Sequence, residues 1–171
     1  SYMKKLSIIV PVYNEVNTVS IVLHNLKKIK FFENYQSQLI IVDDNSNDGS
    51  TEILKKLEND DKFKNDIFIY KNKNLGKGDS QKIAIPLCDG NYTVIQDADL
   101  EYNVENLNSL LELCIKRQYD AVLGYRKLKD TKMYSAYFIF HKIAVISLTV
   151  VTNILYFTRL KDVCTCYRLI K

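Results

Sequence analysis

The sequence predicts an α/β fold in which helices cover both faces of a mostly parallel central sheet. Short apolar runs rich in β-branched residues alternate with segments whose apolar residues repeat at helical spacing. The 171 residues suffice for one hydrophobic core and are few for two. Polar residues also cluster directly after the apolar runs, where ligands bind in sheets of this kind.

Five apolar runs are predicted to be the strands of this sheet. They are short and rich in valine and isoleucine, as buried parallel strands usually are. In chain order they are residues 6–10, 39–42, 67–70, 92–96 and 121–124.

The segments between these runs are predicted to be helices. Asn17 and Thr18 can cap the first helix. Its apolar residues repeat at helical spacing and are Val19, Val22, Leu23, Leu26 and Ile29. A second helix follows the polar turn at residues 43–50, and two more are predicted over residues 79–87 and 104–117.

Residues 133–157 are strongly apolar but are interrupted by His141 and Lys142. The uninterrupted part, residues 143–157, has 15 residues, whereas a membrane-spanning helix needs about 20. Two interpretations remain open. The segment is either a core helix or a helix that lies in the membrane interface with flanking basic residues near the lipid head groups.

Composition narrows the possible partners. The net charge of +4 is too small to indicate a nucleic-acid partner but suits an anionic substrate or a membrane surface. The four cysteines lack zinc-ligand spacing and are expected to be free thiols in a reducing compartment. The first apolar run is short and contains Pro11, so we expect no signal peptide. These features favour a cytoplasmic location or the cytoplasmic face of a membrane.

Asp97, Asp99 and Glu101 follow the fourth predicted strand and are the most informative residues of the chain. Alternate residues of an extended segment point to one side, so the three carboxylates can converge. Converging carboxylates repel one another unless a cation lies between them, and hard oxygen ligands suit a divalent cation that in turn binds phosphates. A solvated acidic turn is the alternative explanation.

Two further polar clusters follow predicted strands. Residues 11–15 come after the first strand, and residues 43–50 come after the second. Because the carboxyl ends of parallel strands meet at one edge of a sheet, all three clusters are predicted to form one site.

Four motifs, at residues 10–15, 42–51, 74–78 and 96–102, resemble those of the inverting family 2 glycosyltransferases. That family has the GT-A fold, a Rossmann-like nucleotide-sugar-binding domain. The string Asp-Ala-Asp-Leu-Glu-Tyr at 97–102, with Asp-Val-Cys-Thr-Cys-Tyr-Arg at 162–168, is most similar to the polyprenyl-phosphate branch, which includes the dolichol-phosphate mannose synthases. This resemblance implies transfer of a sugar from a UDP- or GDP-sugar to a dolichyl or undecaprenyl phosphate.

The resemblance implies roles for donor-binding residues. Asp44 matches the position that hydrogen-bonds the donor base, although helix capping is an alternative and Asp43 is a second candidate. Lys77 lies between two glycines and either contacts the diphosphate or is a solvated lysine on a loop. The loop that lines the nucleoside in the family matches Pro11, Tyr13 and Glu15.

The metal positions of the family match Asp97, Asp99 and Glu101, so the resemblance implies Mg²⁺ or Mn²⁺. The cation would stabilise the charge that grows on the leaving nucleoside diphosphate, with Asp97 also contacting the donor and Asp99 acting in catalysis. Arg126 corresponds to a catalytic-site arginine suited to phosphate, although Tyr125 stands where serine is usual.

The acceptor side is expected to involve Asp162 and Arg168. A lipid phosphate is already ionised near neutral pH, because its second pKa is about 6, so it needs positive charge more than a general base. Asp162 is predicted to position the acceptor or to act as an auxiliary base, and Arg168 to contact its phosphate. A helix cap and a surface charge are the alternatives.

The expected organisation is a nucleotide-sugar-binding core over residues 1–128 and an acceptor-side segment over residues 129–171 of the same domain. We expect either a catalytic-domain fragment that is truncated at its C-terminus or a short family member. The expected partners are the nucleotide-sugar donor, the polyprenyl phosphate and a membrane surface, without nucleic acid. Transfer to a saccharide or protein hydroxyl, a nucleotidyltransferase and a non-catalytic nucleotide-sugar-binding module remain alternatives.

Overall fold

The computed structural model describes residues 4–100, 103–124, 136–165 and 167–171. The chain divides into two compact units. The first comprises Ser1–Val122 and Arg168–Lys171, and the second comprises Leu123–Tyr167.

The described residues contain a six-stranded sheet with the order β3-β2-β1-β4-β6-β5. β1 pairs in parallel with both β2 and β4, β2 pairs in parallel with β3, and β4 pairs antiparallel with β6. The predicted α/β fold with a mostly parallel sheet is therefore confirmed. The strands are β1 (Lys5–Val12), β2 (Gln36–Asp43), β3 (Ile67–Tyr70), β4 (Tyr92–Ile95), β5 (Ala121–Leu123) and β6 (Arg168–Ile170).

All five predicted strands are present, but β6 was not predicted. Its three residues include only two apolar ones, Leu169 and Ile170, which is too short a run to stand out in the sequence. Leu169 is buried and pairs with Val94 of β4, so the strand owes its conformation to a partner that is distant along the chain.

The helices follow the predicted periodicity with shifted ends. Their bounds are α1 (Val19–Lys28), α2 (Ser50–Glu58), α3 (Lys77–Ala84), α4 (Asn106–Arg117) and α5 (Ala136–Tyr156). α3 begins earlier than predicted and gives way to a 3₁₀ turn at Ile85–Leu87, where Pro86 lacks the N–H that would continue an α-helix. The Thr18 hydroxyl donates to the Glu15 carboxylate (2.7 Å) and does not cap α1, contrary to the expected capping role.

A hydrophobic core lies between the strands and α3. Ile9 of β1 and Ile40 of β2 are fully buried with Ala84 of α3. Burial of a side chain as large as isoleucine contributes about 1.5–3 kcal/mol relative to its exposure. The core therefore fixes α3, and with it the preceding loop, against the centre of the sheet.

The register of the parallel strands brings the polar clusters to one edge. Val12 of β1 lies beside Asp43 of β2, and Ile9 of β1 lies beside Ile95 of β4. The segments that follow these three strands therefore leave the sheet at the same edge, as predicted from the strand order.

In the second unit, α5 exposes most of its described apolar side chains, while two of its polar side chains bond to the segment that follows the helix. The Asn153 side chain accepts from Leu160 N (2.8 Å) and donates to Leu160 O (2.9 Å), while the Thr149 hydroxyl accepts from Val163 N (3.2 Å). The large apolar side chains of α5 that are exposed are Phe140, Ile143, Ile146, Leu148, Val150, Val151, Ile154, Leu155 and Tyr156.

This exposure is not that of a buried core helix, so the core-helix interpretation is wrong for these residues. Among the residues that the structure describes, no helix meets the length and hydropathy that a membrane span requires.

Candidate active site

A pocket of about 240 Å³ opens at the edge of the sheet where β1, β2 and β4 end. It brings together seven residues that the sequence singled out, together with Val12, Ser80 and Ala98. The seven are Pro11, Tyr13, Glu15, Asp44, Lys77, Asp97 and Asp99. The predicted convergence of the three polar clusters is thus present in the structure.

Asp44 directly follows β2 and lines the pocket with only 4% of its side chain exposed. Its Oδ1 accepts a hydrogen bond from Leu75 N (3.0 Å), and its Oδ2 accepts one from Gly76 N (2.7 Å). One carboxylate therefore holds the loop between β3 and α3 in place. Gly76 has a φ of 87°, a left-handed conformation that glycine adopts without strain.

Asp43, the neighbouring candidate, serves a different part of the structure. Its Oδ1 accepts from Ser46 N (3.1 Å), and its Oδ2 accepts from the Thr51 hydroxyl of α2. Asp43 thus shapes the turn that leads into α2, while Asp44 lines the pocket. Of the two carboxylates that the sequence left as candidates for the pocket, only Asp44 therefore lines it.

Lys71 forms an ion pair with Asp44, and the sequence did not identify it as a site residue. Its ammonium group, with 7% of the side chain exposed, is 2.6 Å from Asp44 Oδ1 and 2.6 Å from Asp79 Oδ2. The signal that was available is its position directly after β3, at the same edge as the other polar residues.

The electrostatics of this ion pair favour the charged forms. Burial by itself would raise the pKa of Asp44, but Lys71 and the two backbone N–H donors outweigh it, so the pKa lies below its ordinary value. Burial likewise opposes the charge of Lys71, yet Asp44 and Asp79 raise its pKa. Asp44 is therefore a fixed, ionised hydrogen-bond acceptor.

The wall of the pocket formed by residues 13–15 is tied to the turn after β2. Asn14 N donates to the Ser46 hydroxyl (3.0 Å), and Asn47 N donates to Asn14 Oδ1 (3.0 Å). Glu15 N donates to the Ser50 hydroxyl (2.8 Å). These bonds hold two of the three polar clusters to each other before any ligand binds.

Asp97 and Asp99 form the acidic side of the pocket, where the Lys77 ammonium pairs with Asp97 Oδ1. β4 ends at Ile95, and residues 98–100 bend, so the two carboxylates reach the pocket through a bend and not by the strand alternation expected from the sequence. Gln96 is buried and donates to Asp97 O (2.9 Å), in keeping with a structural role.

The predicted third metal ligand, Glu101, lies outside the described residues, as does Arg126. Within the described part of the chain, no group of three or more His, Cys, Asp or Glu side chains is arranged to hold a metal ion.

The two acceptor-side residues lie in different units. Asp162, in the second unit, is buried, and its Oδ1 accepts from Cys164 N (2.9 Å) in a local turn, so the residue is not a helix cap. Arg168 begins β6 in the first unit and is exposed.

Comparison with known families accounts for this collection of residues. The sequence matches the family model described as "Glycosyl transferase family 2" over residues 7–169. The chain belongs to glycosyltransferase family 2. This membership confirms the family inferred from the motifs, a family of glycosyltransferase enzymes.

Two curated relatives differ in the share of their length that this chain spans. The uncharacterized protein MJ0544 of Methanocaldococcus jannaschii is 27% identical over 168 residues, which cover 95% of this chain and 70% of that protein. The undecaprenyl-phosphate 4-deoxy-4-formamido-L-arabinose transferase of Yersinia pestis is 30% identical over 132 residues, or 77% of this chain. The match spans 40% of that transferase.

Solved structures agree on the fold. The S. aureus TarS 1–349 complex with UDP-GlcNAc is 25% identical with a TM-score of 0.59, and the match covers 77% of this chain and 38% of TarS. The mannosyltransferase PcManGT from Pyrobaculum calidifontis, in complex with GDP-Man and Mn²⁺, is 21% identical with a TM-score of 0.62. That match covers 76% of this chain and 38% of PcManGT. The predicted GT-A fold is confirmed.

Proposed function

We propose that this family 2 enzyme transfers a sugar from a nucleotide diphosphate sugar to a polyprenyl phosphate, with inversion and with the help of a divalent metal ion. The observation that carries the proposal is the single pocket that gathers Asp44, Lys77, Asp97 and Asp99 at the carboxyl edge of the sheet. A base acceptor, a cation for phosphates and paired carboxylates are the groups that a nucleotide-sugar site requires.

On the donor side, the ionised Asp44 carboxylate is proposed to accept a hydrogen bond from the base. Pro11, Tyr13 and Glu15 would line the nucleoside, and Lys77 would contact the diphosphate. The binding of UDP-GlcNAc by TarS, at 25% identity, supports a sugar nucleotide as the ligand.

The acidic side of the pocket is proposed to take Mg²⁺ or Mn²⁺. The Lys77 ammonium on Asp97 is a cation held at this position by the chain itself, and carboxylate oxygens are the ligands that these ions prefer. Asp97 and Asp99 would hold the metal with Glu101 as a third ligand. When bound, the metal would stabilise negative charge on the leaving nucleoside diphosphate. PcManGT was crystallised with Mn²⁺.

For the acceptor, the named relatives that use undecaprenyl phosphate favour a lipid phosphate. An oxygen of this phosphate would attack the anomeric carbon from the face opposite the diphosphate, forming one C–O bond as the other breaks, which inverts the configuration. Because the phosphate is already ionised, Asp162 would position it and need not remove a proton. Arg126 and Arg168 would supply positive charge for phosphate groups.

The apolar outer face of α5 is proposed to lie on the membrane that carries the acceptor. In this arrangement residues 1–128 bind the donor, residues 129–171 serve the acceptor, and the enzyme works at the cytoplasmic face of a membrane.

Two measurements test the proposal. Calorimetry with UDP and GDP in the presence of Mg²⁺ or Mn²⁺ is expected to detect binding, and labelled sugar is expected to enter an organic-extractable lipid phosphate. Asp99→Asn should lower transfer by at least about 100-fold, because it weakens stabilisation of the departing charge. Asp61→Asn, which changes an exposed residue outside the pocket, should leave transfer unchanged.

The results separate the two sides of the site. Absence of nucleotide binding with either metal would overturn the donor site. Nucleotide binding together with label found only in water-soluble saccharide or protein would overturn the lipid phosphate acceptor and favour a hydroxyl acceptor instead.

A further inference from the structure

We infer that Asp44 offers the donor base a single acceptor site, because Lys71, Leu75 N and Gly76 N cover the others, and that the pocket therefore selects uracil over guanine. The inference rests on the proposed function and resolves which class of nucleotide that function uses. Lys71 is accordingly a positioning residue that acts through Asp44.

Most hydrogen-bond acceptor sites of the Asp44 carboxylate are already covered by protein groups. An ionised carboxylate has about four lone-pair sites, two on each oxygen. On Oδ1, Leu75 N uses one site, and the Lys71 ammonium lies 2.6 Å from the same oxygen as an ion-pair partner and covers the other. Gly76 N uses one site on Oδ2. Among the partners that the described residues provide, one acceptor site therefore remains, on the oxygen that Lys71 does not contact.

Lys71 is held so firmly that it cannot easily release this site. Its ammonium lies between Asp44 and Asp79, and its backbone N–H donates to Asp43 O (2.9 Å), which continues the pairing of β3 with β2. Moving the side chain away would leave buried charges without a partner, which is strongly unfavourable. Oδ1 thus stays closed to a ligand.

The bases differ in what they present to a carboxylate. Uracil has one N–H, at N3, between two carbonyl groups. Guanine has two adjacent donors, N1–H and the 2-amino group, which suit a carboxylate with both oxygens free. Against a single acceptor site, the amino group of guanine would lose its water without gaining a partner. Such an unpaired group costs about 1–3 kcal/mol, or roughly 5- to 150-fold in affinity.

The unmodified protein provides the first test. Calorimetry in Mg²⁺ compares UDP, GDP and inosine diphosphate, whose base is guanine without the 2-amino group. We expect UDP to bind at least about tenfold more tightly than GDP, and inosine diphosphate to bind at least as tightly as GDP. GDP binding tenfold more tightly than inosine diphosphate would show that both donors are paired and would overturn the inference.

Variants of Lys71 provide the second test. Lys71→Met should open Oδ1 and bring the UDP-to-GDP affinity ratio close to one, whereas Lys71→Arg should keep the preference for UDP. Lys73→Met is the matched control, because Lys73 is an exposed lysine of the same loop that does not line the pocket. It should leave the ratio unchanged. If folded Lys71→Met keeps the UDP-to-GDP affinity ratio of the wild type, the proposed role of Lys71 is overturned.

Different results would overturn the proposed function and the preference for uracil. If no nucleotide binds with either metal, the proposed function is overturned and this inference falls with it. If nucleotides bind but GDP equals or exceeds UDP, only the inference is overturned. Should Lys71→Met fail to fold by circular dichroism, the comparison of GDP with inosine diphosphate still decides.

Discussion

Asp43 and Asp44 show at the scale of single residues how position relative to a strand end decides what a carboxylate does. Asp43 is the last residue of β2, and its side chain bonds within the turn that leads to α2. Asp44 has left the strand, and its side chain lies in the pocket. Two identical neighbours therefore stabilise different segments, and of the two only Asp44 lines the pocket.

The shifted pKa of Asp44 predicts how stability changes with pH. Because the pKa is lowered from 3.8, the carboxylate contributes stability that is fully present above pH 3.8 and is lost as the pH falls through the folded-state pKa. Asp44→Asn should lower the free energy of unfolding at pH 7 by about 3 kcal/mol, because it leaves Lys71 with one fewer partner.

Urea unfolding of the wild type and Asp44→Asn between about pH 3 and 7 measures this effect, and the difference between them should shrink only below about pH 4. The exposed Asp61→Asn serves as the control and should match the wild type. A gap that stays constant over the whole range would contradict the assignment of the ion pair.

Much of the site was predictable at the residue scale, and one part was not. Asp97, Asp99 and Lys77 could be found because they lie shortly after a strand or at the start of a helix at one edge of the sheet. Lys71 also directly follows a strand, β3, but its role could not be assigned because it depends on two carboxylates, Asp44 after β2 and Asp79 in α3. Lysine is common on surfaces, and nothing in its local sequence marks it as buried.

At the scale of elements, Gly90 shows how closely the loop before β4 approaches β1. A Cβ atom built at Gly90 would lie 2.7 Å from Ser7 N and 2.9 Å from Lys5 O. Gly90 N also donates to the Ser7 hydroxyl (3.0 Å), which in turn donates to Gln38 Oε1 (2.6 Å). The absence of a side chain at this position lets the loop reach the backbone of β1.

Gly90→Ala should therefore lower the free energy of unfolding by about 1–3 kcal/mol, since backbone atoms have to move. Gly78→Ala is the matched control. Apart from its chain neighbours and the backbone of its own helix, no described atom lies within 4 Å of a Cβ built at Gly78 in α3. Alanine there should stabilise the helix by up to about 1 kcal/mol. Chemical denaturation checks both, and a Gly90→Ala effect below about 0.5 kcal/mol would contradict the close approach.

The elements that the sequence predicted well are those whose own residues favour them. β1 to β4 are apolar runs that alternate with helical periodicity, so local preference and tertiary structure agree. β6 depends on Val94 and Thr93 of β4 as its partners, and its local sequence carries little strand signal. The end of α3 was misplaced for a local reason, the proline at position 86.

At the scale of the whole molecule, the two units bury different kinds of residue. The first has an apolar core around β1 and β2, as expected for a soluble domain. In the second, the polar residues Thr149 and Asn153 bond to residues that follow α5, and most of the described apolar side chains of α5 are exposed. An apolar outer face of this kind is typical of a surface that contacts lipid.

The outward face of α5 predicts reversible binding to membranes. The chain, with its net charge of +4, should co-sediment with vesicles of phosphatidylglycerol, and added salt should weaken but not abolish this binding. Ile154, 67% exposed on α5, would enter the lipid. Ile154→Glu should reduce vesicle affinity by about tenfold or more, because burial of one such side chain contributes about 1.5–3 kcal/mol.

Ile21→Glu is the control for this measurement, since Ile21 is 49% exposed on α1 in the first unit and is not expected to touch lipid. It should bind vesicles like the wild type. Equal loss in both variants would indicate a general effect of charge on association. Failure of the wild type to bind vesicles, with dimerisation that Ile154→Glu abolishes, would show that a second copy covers α5 instead of a membrane.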